Sequence, residues 1–519
     1  MLNRSSGIIK KASKLLADHP KISVLLSGSM LKFCFCKGTT LPFLLLPAFT
    51  ILSLTLILSR RKQAFAIGYC FGLGYFSSTL YWIAESFKCV GFGNYGYLAV
   101  SALVLYISVY PAAACYLARR IASTRAKLLI LLAIFWTIAE YLRGIVFTGF
   151  PWNLIGYVAY DIPYFAQSAD VFGIYGVSFL LLLTTLLLSF KKTCLYGTVI
   201  FAIVISYGYY RTEIYNKYIV SDNPASVVVV QPSISQEDKL DVRKFQSNLA
   251  KHIELSHSHG LYHRKRLIIW SEAAINTPVH SKDKFLRYIA SSLKNDWIIA
   301  GCDRFDNERH LFNSVCVFGA DAEIKQFYDK RHLLPFGEFI PEFLLDIGLR
   351  KVVPGIMNFS SGTLSRTVKI DGIDPFDVLI CYEIAFPGEI LDNSESTWIV
   401  NVTNDSWFKN SDGPTQHMRA ACFRAIEEGR PIVRCANNGI SCIIDCNGRV
   451  IDALQTDEIG RIETTVPAKR QKTLFAKYKH KTIWMLLSVI ALGTMLPRLA
   501  RSRFYKIKNA AQKRSLLSK

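Results

Sequence analysis

The sequence predicts a membrane α-helical bundle of about eight transmembrane helices joined to an α/β layered domain, and three observations lead there. Of 519 residues, 51% are hydrophobic, too large a share for one ordinary soluble domain of this length. Long apolar runs crowd the first 210 residues. After Tyr210 the pattern changes to short β-rich segments separated by helical ones.

A helix needs about 18 or more apolar residues to cross a bilayer. Runs of that kind cover residues 41–59, 64–83, 97–118, 128–146, 173–190, 194–210 and 482–499, with a weaker one at 22–36. The net charge of +22 sits beside these runs rather than on a nucleic-acid-binding face. Arg4, Lys10, Lys11 and Lys14 precede the first run; Arg60, Arg61 and Lys62 follow the second; Arg119, Arg120, Arg125 and Lys127 follow the fourth; Lys191 and Lys192 follow the sixth. The intervening loops carry little beyond Lys37 and Lys88, so the excess of positive charge on alternate loops predicts a cytoplasmic N-terminus. Arg498, Arg501, Arg503, Lys506, Lys508, Lys513 and Arg514 then form a basic cytoplasmic tail. The expected units are 1–211 in the membrane, 212–481 outside the cytoplasm, and 482–519 as a last helix and tail. The first apolar run lacks a small-residue cleavage site and reads as a span rather than a signal peptide. Apart from Glu85 and Glu140 the spans are nearly free of ionisable residues, which argues against an ion or solute pathway. The 13 cysteines show no repeated CxxC spacing, and no histidine pair accompanies Cys442 and Cys446, so neither a disulfide framework nor a metal is expected.

In the second unit "SVVVVQPSI", "RLIIWSE", "DWIIAGC", "SVCVFG", "FDVLICYE", "STWIVNVTND" and "PIVRCANNG" read as strands, several with the continuous apolar character of strands covered on both faces. Helical spacing runs through 241–256, 282–294 and 416–428, and "DCNGRV" predicts a hairpin on a two-residue Asn447-Gly448 turn with positive φ. The apolar stretch 339–359 fits either a buried helix or an arm dipping into the membrane interface.

Reactive side chains follow three apolar runs: Glu272 in "IIWSEAAI", Lys330 and Glu338 in "FYDKRHLLPFGEFIP", and Cys381 in "DVLICYEIAFPGE". A lone buried cysteine is ordinarily a small hydrophobe. Together with a glutamate and a lysine it has what a nucleophile needs: a base to make the thiolate, and a cation to face the oxyanion formed after attack.

These stretches resemble the nitrilase, or carbon-nitrogen hydrolase, superfamily, which implies an α-β-β-α sandwich with a Glu-Lys-Cys triad. "LRGIVFTGFPWNLIGY", "YDKRHLLPFGEFIP", "CYE" and "NVTNDSWFKNSDGPTQHMRAACFRAIEEGRPIVRCANNGISCIIDCNG" narrow the resemblance to the apolipoprotein N-acyltransferase family. That resemblance implies Glu272 as general base, Lys330 as stabiliser of the tetrahedral intermediate and Cys381 as nucleophile, with Glu338, Tyr382 and Glu383 in support and no cofactor. It implies a phospholipid acyl donor, a thioester on Cys381, and as acceptor the free α-amino group of an S-diacylglyceryl apolipoprotein. It further implies a multi-pass protein of the bacterial inner membrane, acting as a monomer with its catalytic domain on the periplasmic side.

Several neighbours keep two readings. Trp152 is either an aromatic belt residue or part of a lipid entrance. Asn401, Asn404, Asp405, Trp407 and Phe408 are either pocket wall or strand-end turn residues, and His417, Arg430 and Arg434 read as structural. Leu240 stands where the family usually has tryptophan, and Ser271 where a proline commonly precedes the base. The competing function is a membrane-tethered nitrilase-type amidase acting on a small amide, with water as second nucleophile.

Overall fold

The computed structural model describes residues 16, 18–89, 91–215, 218–219, 224–257, 266–280, 283–293, 296–340, 358–392 and 395–494. The basic N-terminus, the basic tail and most of the apolar stretch 339–359 lie outside them.

Each expected span falls on helix within the described residues, with differences in length; 495–499 of the last one lie outside them. Among the described residues two stretches are long and apolar enough to cross a membrane, Gly93–Ile121 and Ala169–Leu188, while Pro42–Leu58 and Lys481–Thr494 are shorter apolar helices. The weak first run is broken into Pro20–Ser29 and Lys32–Phe35. Ala64–Leu80, Arg125–Arg143 and Cys194–Tyr209 complete the set, so eight full spans are not resolved by length and composition alone. Small residues let these helices approach closely. A Cβ on Gly28 would lie 2.2 Å from the Phe71 carbonyl oxygen, and one on Gly74 would lie 2.0 Å from that of Leu25.

The α/β part contains β1 (Tyr218–Ile219), β2 (Ser226–Gln231), β3 (Arg266–Ile269), β4 (Ile275–Pro278), β5 (Trp297–Phe305), β6 (Leu311–Phe318), β7 (Ile324–Asp329), β8 (Thr367–Ile370), β9 (Ile373–Ile380), β10 (Trp398–Thr403), β11 (Ile432–Ala436), β12 (Ser441–Ile444), β13 (Val450–Leu454), β14 (Gly460–Thr465) and β15 (Lys469–Arg470). One sheet runs β14-β2-β3-β5-β6-β7 with β4 also on β5, a second runs β13-β12-β11-β10-β9-β8, and β1 pairs with β15. The two larger sheets face each other across a core that includes Val227, Val229, Leu267, Ile269, Val400 and Val402. Alternate residues point the other way: Val228, Val230 and Ile268 pack with Leu249 and Leu286 of the helices Phe245–Ser256 and Lys284–Leu293, and Ile399 packs with Ala421 and Ala425 of Gly413–Glu428. Strands buried on both faces therefore read as continuous apolar runs, and the layering is α-β-β-α.

One local reading is corrected. The "DCNGRV" hairpin forms, but Asp445 and Gly448 close a longer turn in which Gly448 alone has positive φ, at 76°; the third loop residue takes the left-handed position and spares Asn447 from it. The expected run 97–118 lies within the apolar stretch Gly93–Ile121, whose helical segments Gly93–Ile107 and Val109–Ile121 meet at Ser108.

Helix Gly413–Glu428 joins the two parts. Gln416 Oε1 accepts from Trp82 Nε1 (3.2 Å) and Trp152 Nε1 (2.9 Å). Gly173, with φ 65°, interrupts Ala169–Leu188 and frees the Ile174 N–H, which donates to Glu427 Oε1 at 2.7 Å.

Gly74→Ala should destabilise the protein by about 1–3 kcal/mol, since the added methyl meets backbone on a neighbouring helix. Thermal unfolding in detergent checks this; an unchanged midpoint would refute the close approach.

Candidate active site

The candidate residues are gathered where strands of both sheets end. Asp329 closes β7 and Lys330 follows it, its N–H donating to the Asn313 carbonyl at 2.8 Å. Glu272 lies three residues beyond the end of β3, in a turn rather than in the strand, and the next residue, Ala273, has φ 48°. The close approach of Gly301 holds that turn: a Cβ there would lie 2.6 Å from Glu272 Cα. Cys381 follows β9, opens the turn Cys381–Ala385 and itself has φ 48°, a conformation that costs a non-glycine residue free energy.

Lys330 Nζ donates to Glu338 Oε1 at 2.9 Å and to Glu272 Oε1 at 3.3 Å, with its side chain 2% exposed. Asn313 Nδ2 bridges the same two carboxylates at 2.8 and 2.7 Å. The other Glu272 oxygen accepts from the Asn404 backbone N–H at 2.9 Å, and the other Glu338 oxygen from that of Leu334 at 2.7 Å. Burial works against the Lys330 charge, but the carboxylates of Glu338 and Glu272 outweigh it and hold the ammonium well above the ordinary lysine range. Cys381 is opposite in sign. Burial and then the Glu272 charge raise its thiol, and Lys330 only partly offsets them. The resting sulfur is therefore protonated, and its reaction as a nucleophile requires a base.

Tyr382 and Glu383 turn away from this cluster. Glu383 Oε1 accepts from Tyr328 Oη (2.7 Å) and the Arg331 N–H (2.9 Å), on either side of Lys330 in sequence, while Oε2 accepts from the Ile380 N–H (2.8 Å), just before Cys381. One carboxylate thus ties the end of β7 to the end of β9. Tyr382 donates to the Gly149 carbonyl at 3.1 Å and stacks on Trp152, anchoring the cysteine turn to the helical part. Trp152 is 6% exposed, so it belongs to this interior contact rather than to an exposed aromatic belt.

Behind Cys381 is a buried polar network. His417 Nε2 is 3.1 Å from the Cys381 carbonyl oxygen and Nδ1 is 2.9 Å from Asp405 Oδ1, and Arg434 Nη2 donates to Asp405 Oδ2 at 2.8 Å. His417 contacts the backbone of the cysteine, and Arg434 reaches it only through Asp405. Asn401 and Asp405 take part in the same network, and Arg430 bonds elsewhere, to the Ser396 and Arg470 carbonyls.

Three residues had no sequence signal. Asn313 lies mid-strand in β6. Thr403 closes β10, where a β-branched residue needs no further explanation. Lys239 is buried and donates to the Glu272 carbonyl at 2.9 Å; burial lowers its ammonium to about 8, against smaller opposing effects of Glu272 and Asp303.

The chain is similar to known proteins along most of its length. A sequence profile of the apolipoprotein N-acyltransferase N-terminal domain matches residues 27–187, and a carbon-nitrogen hydrolase profile matches residues 226–473. An apolipoprotein N-acyltransferase of Brucella suis is 32% identical over 470 residues, covering 86% of this chain and 88% of its own. That of Rhizobium rhizogenes is 32% identical over 471 residues, covering 85% and 87%. That of Rickettsia bellii is 32% identical over 503 residues, covering 92% and 97%.

Because the folded-state ammonium of Lys239 titrates near 8 and the unfolded one near 10.4, its charging opposes folding fully below pH 8, and the penalty fades as pH rises through that window. The parent should therefore gain on a Lys239→Met variant by about 1–3 kcal/mol between pH 7 and pH 10. Unfolding midpoints of the two proteins measured across that range check it; a constant difference would contradict a charged, buried Lys239.

Proposed function

Since the chain belongs to the apolipoprotein N-acyltransferase family, we propose that it transfers an acyl chain from a membrane phospholipid, through a thioester on Cys381, to the α-amino group of an S-diacylglyceryl apolipoprotein. The observation that carries the reading is the Lys330 ammonium held between Glu272 and Glu338 beside the strained turn that presents Cys381.

In this reading Glu272 takes the thiol proton as the sulfur attacks the ester carbonyl of the donor. The S–C bond forms, and Lys330 faces the negative charge that develops on the carbonyl oxygen. As the C–O bond breaks, Glu272 returns the proton to the departing lysophospholipid hydroxyl. The acceptor amine then attacks the thioester, losing a proton to Glu272 as the S–C bond breaks and the amide forms. Glu338 and Asn313 keep Lys330 and Glu272 in register, and Glu383 and Tyr382 fix the cysteine turn.

Both substrates are lipid-anchored, so a catalytic domain seated on membrane helices reaches them without extracting them. The apolar helices Gly93–Ile121 and Ala169–Leu188 support membrane embedding. The basic clusters beside the apolar runs support a multi-pass arrangement in a bacterial inner membrane, with residues 212–481 on the periplasmic side. The protein acts as a monomer in this reading, since one chain supplies every residue named in it.

Cys381→Ala and Glu272→Gln should each lower lipoprotein N-acylation by on the order of 10³-fold or more. Mass spectrometry of client lipoproteins should then show free N-termini. Intact mass of the purified protein after mixing with phospholipid should show an acyl-sized adduct that Cys381→Ala lacks; undiminished N-acylation by that variant would sink the proposal.

A further inference from the structure

The Thr403 hydroxyl is 3.2 Å from Cys381 Sγ and 3.3 Å from Asp405 Oδ1. It has one proton for two acceptors, and the acceptors are unequal. Asp405 is already supplied: His417 Nδ1 is 2.9 Å from Oδ1, and Arg434 Nη2 donates to Oδ2 at 2.8 Å. Although burial alone would raise Asp405, the Arg434 and His417 contacts hold its carboxyl below the ordinary aspartate range, so it stands ready as a charged acceptor. Among the described residues the sulfur has no comparable set of donors, and its acceptor strength changes through a reaction cycle. It is a weak acceptor as a thiol or thioester and a strong one as a thiolate.

We propose that Thr403 is a further catalytic residue, whose hydroxyl donates to the Cys381 sulfur whenever that atom carries negative charge and turns to Asp405 when it does not. The inference deepens the thioester reading and rests on it. Thr403 shares the stabilisation of the thiolate with Lys330, and Asp405, His417 and Arg434 provide the alternative resting place for the hydroxyl. The side chain reaches both acceptors because Thr403 closes β10 at the level of Cys381, which follows the neighbouring parallel strand β9. Its neighbour Asn404 supplies the N–H to Glu272, so a single strand end serves both the nucleophile and its base.

Among the described residues the charged groups acting on the sulfur are Glu272, Lys330 and Asp405; substitution at position 403 replaces none of them, and Asp405, which loses the Thr403 hydroxyl in Thr403→Val, keeps its contacts with His417 and Arg434. Thr403→Val keeps the shape and removes the hydroxyl; Thr403→Ser keeps the hydroxyl and removes the methyl. The full chain in detergent is alkylated with iodoacetamide across a pH series, and carboxamidomethyl Cys381 is quantified by peptide mass spectrometry, which separates it from the other cysteines. The expected result for Thr403→Val is roughly tenfold slower alkylation at every pH of the series, as for loss of one hydrogen bond to a charged acceptor. Thr403→Ser should follow the parent. A Thr403→Val profile superimposed on that of the parent, in a variant with a parent-like unfolding midpoint, would overturn the proposal. So would Thr403→Ser behaving like Thr403→Val, which would trace the effect to packing. Acyl-adduct formation from phosphatidylethanolamine in mixed micelles provides the second reading, and Thr403→Val should form the adduct about tenfold more slowly. A parent that forms no adduct on Cys381 would overturn the thioester reading, whereas the alkylation profiles decide the hydrogen bond independently.

Discussion

The site is organised by the requirement to keep the Lys330 ammonium charged with its side chain 2% exposed. An unpaired ion so placed costs several kcal/mol, and it is tolerated only when opposite charges and further hydrogen bonds replace the lost water. Glu272 and Glu338 supply the charges and Asn313 bridges them, so four side chains from three separate segments must arrive together. Lys330 follows an edge strand of one sheet and Cys381 follows a strand of the other. The apolar core between the sheets sets their separation, and the charged cluster sits at its open end.

That dependence explains why so much structure is spent on small movements. Glu383 links Tyr328 and Arg331 to Ile380, which keeps the ends of β7 and β9 in register although these strands belong to different sheets. Cys381 is held at positive φ by contacts on both sides, with its carbonyl facing His417 and Tyr382 bonded to the Gly149 carbonyl. Backbone strain persists at a position when the surroundings over-determine it, and here they come from both the α/β domain and the helical part.

The helical part is accordingly more than an anchor. Trp152 stacks on Tyr382 and donates to Gln416, and Glu427 takes the N–H freed by the break at Gly173. The cysteine turn thus rests on the same buried contacts that join the helices to helix Gly413–Glu428. A change at this junction can reach the sulfur through Tyr382 without touching Glu272 or Lys330.

Much of this was legible in the sequence because the relevant signals are local. Val227 to Val230 announce a strand buried on both faces, the apolar runs announce helices, and Glu272, Lys330, Glu338 and Cys381 sit in stretches whose residue types point to acyl-transfer chemistry. The sequence by itself determined the layered α/β domain and singled out Glu272, Lys330, Glu338 and Cys381 as the candidate groups. Only the tertiary structure decided that Asn313 bridges two carboxylates, that Thr403 reaches the sulfur, that a buried Lys239 caps the Glu272 carbonyl, and that Trp152 faces the protein interior. The physical reason is distance along the chain: Asn313 is 41 residues from Glu272, and Thr403 is 22 from Cys381. Their roles come from the convergence of strand ends, to which the pattern around each residue makes no reference.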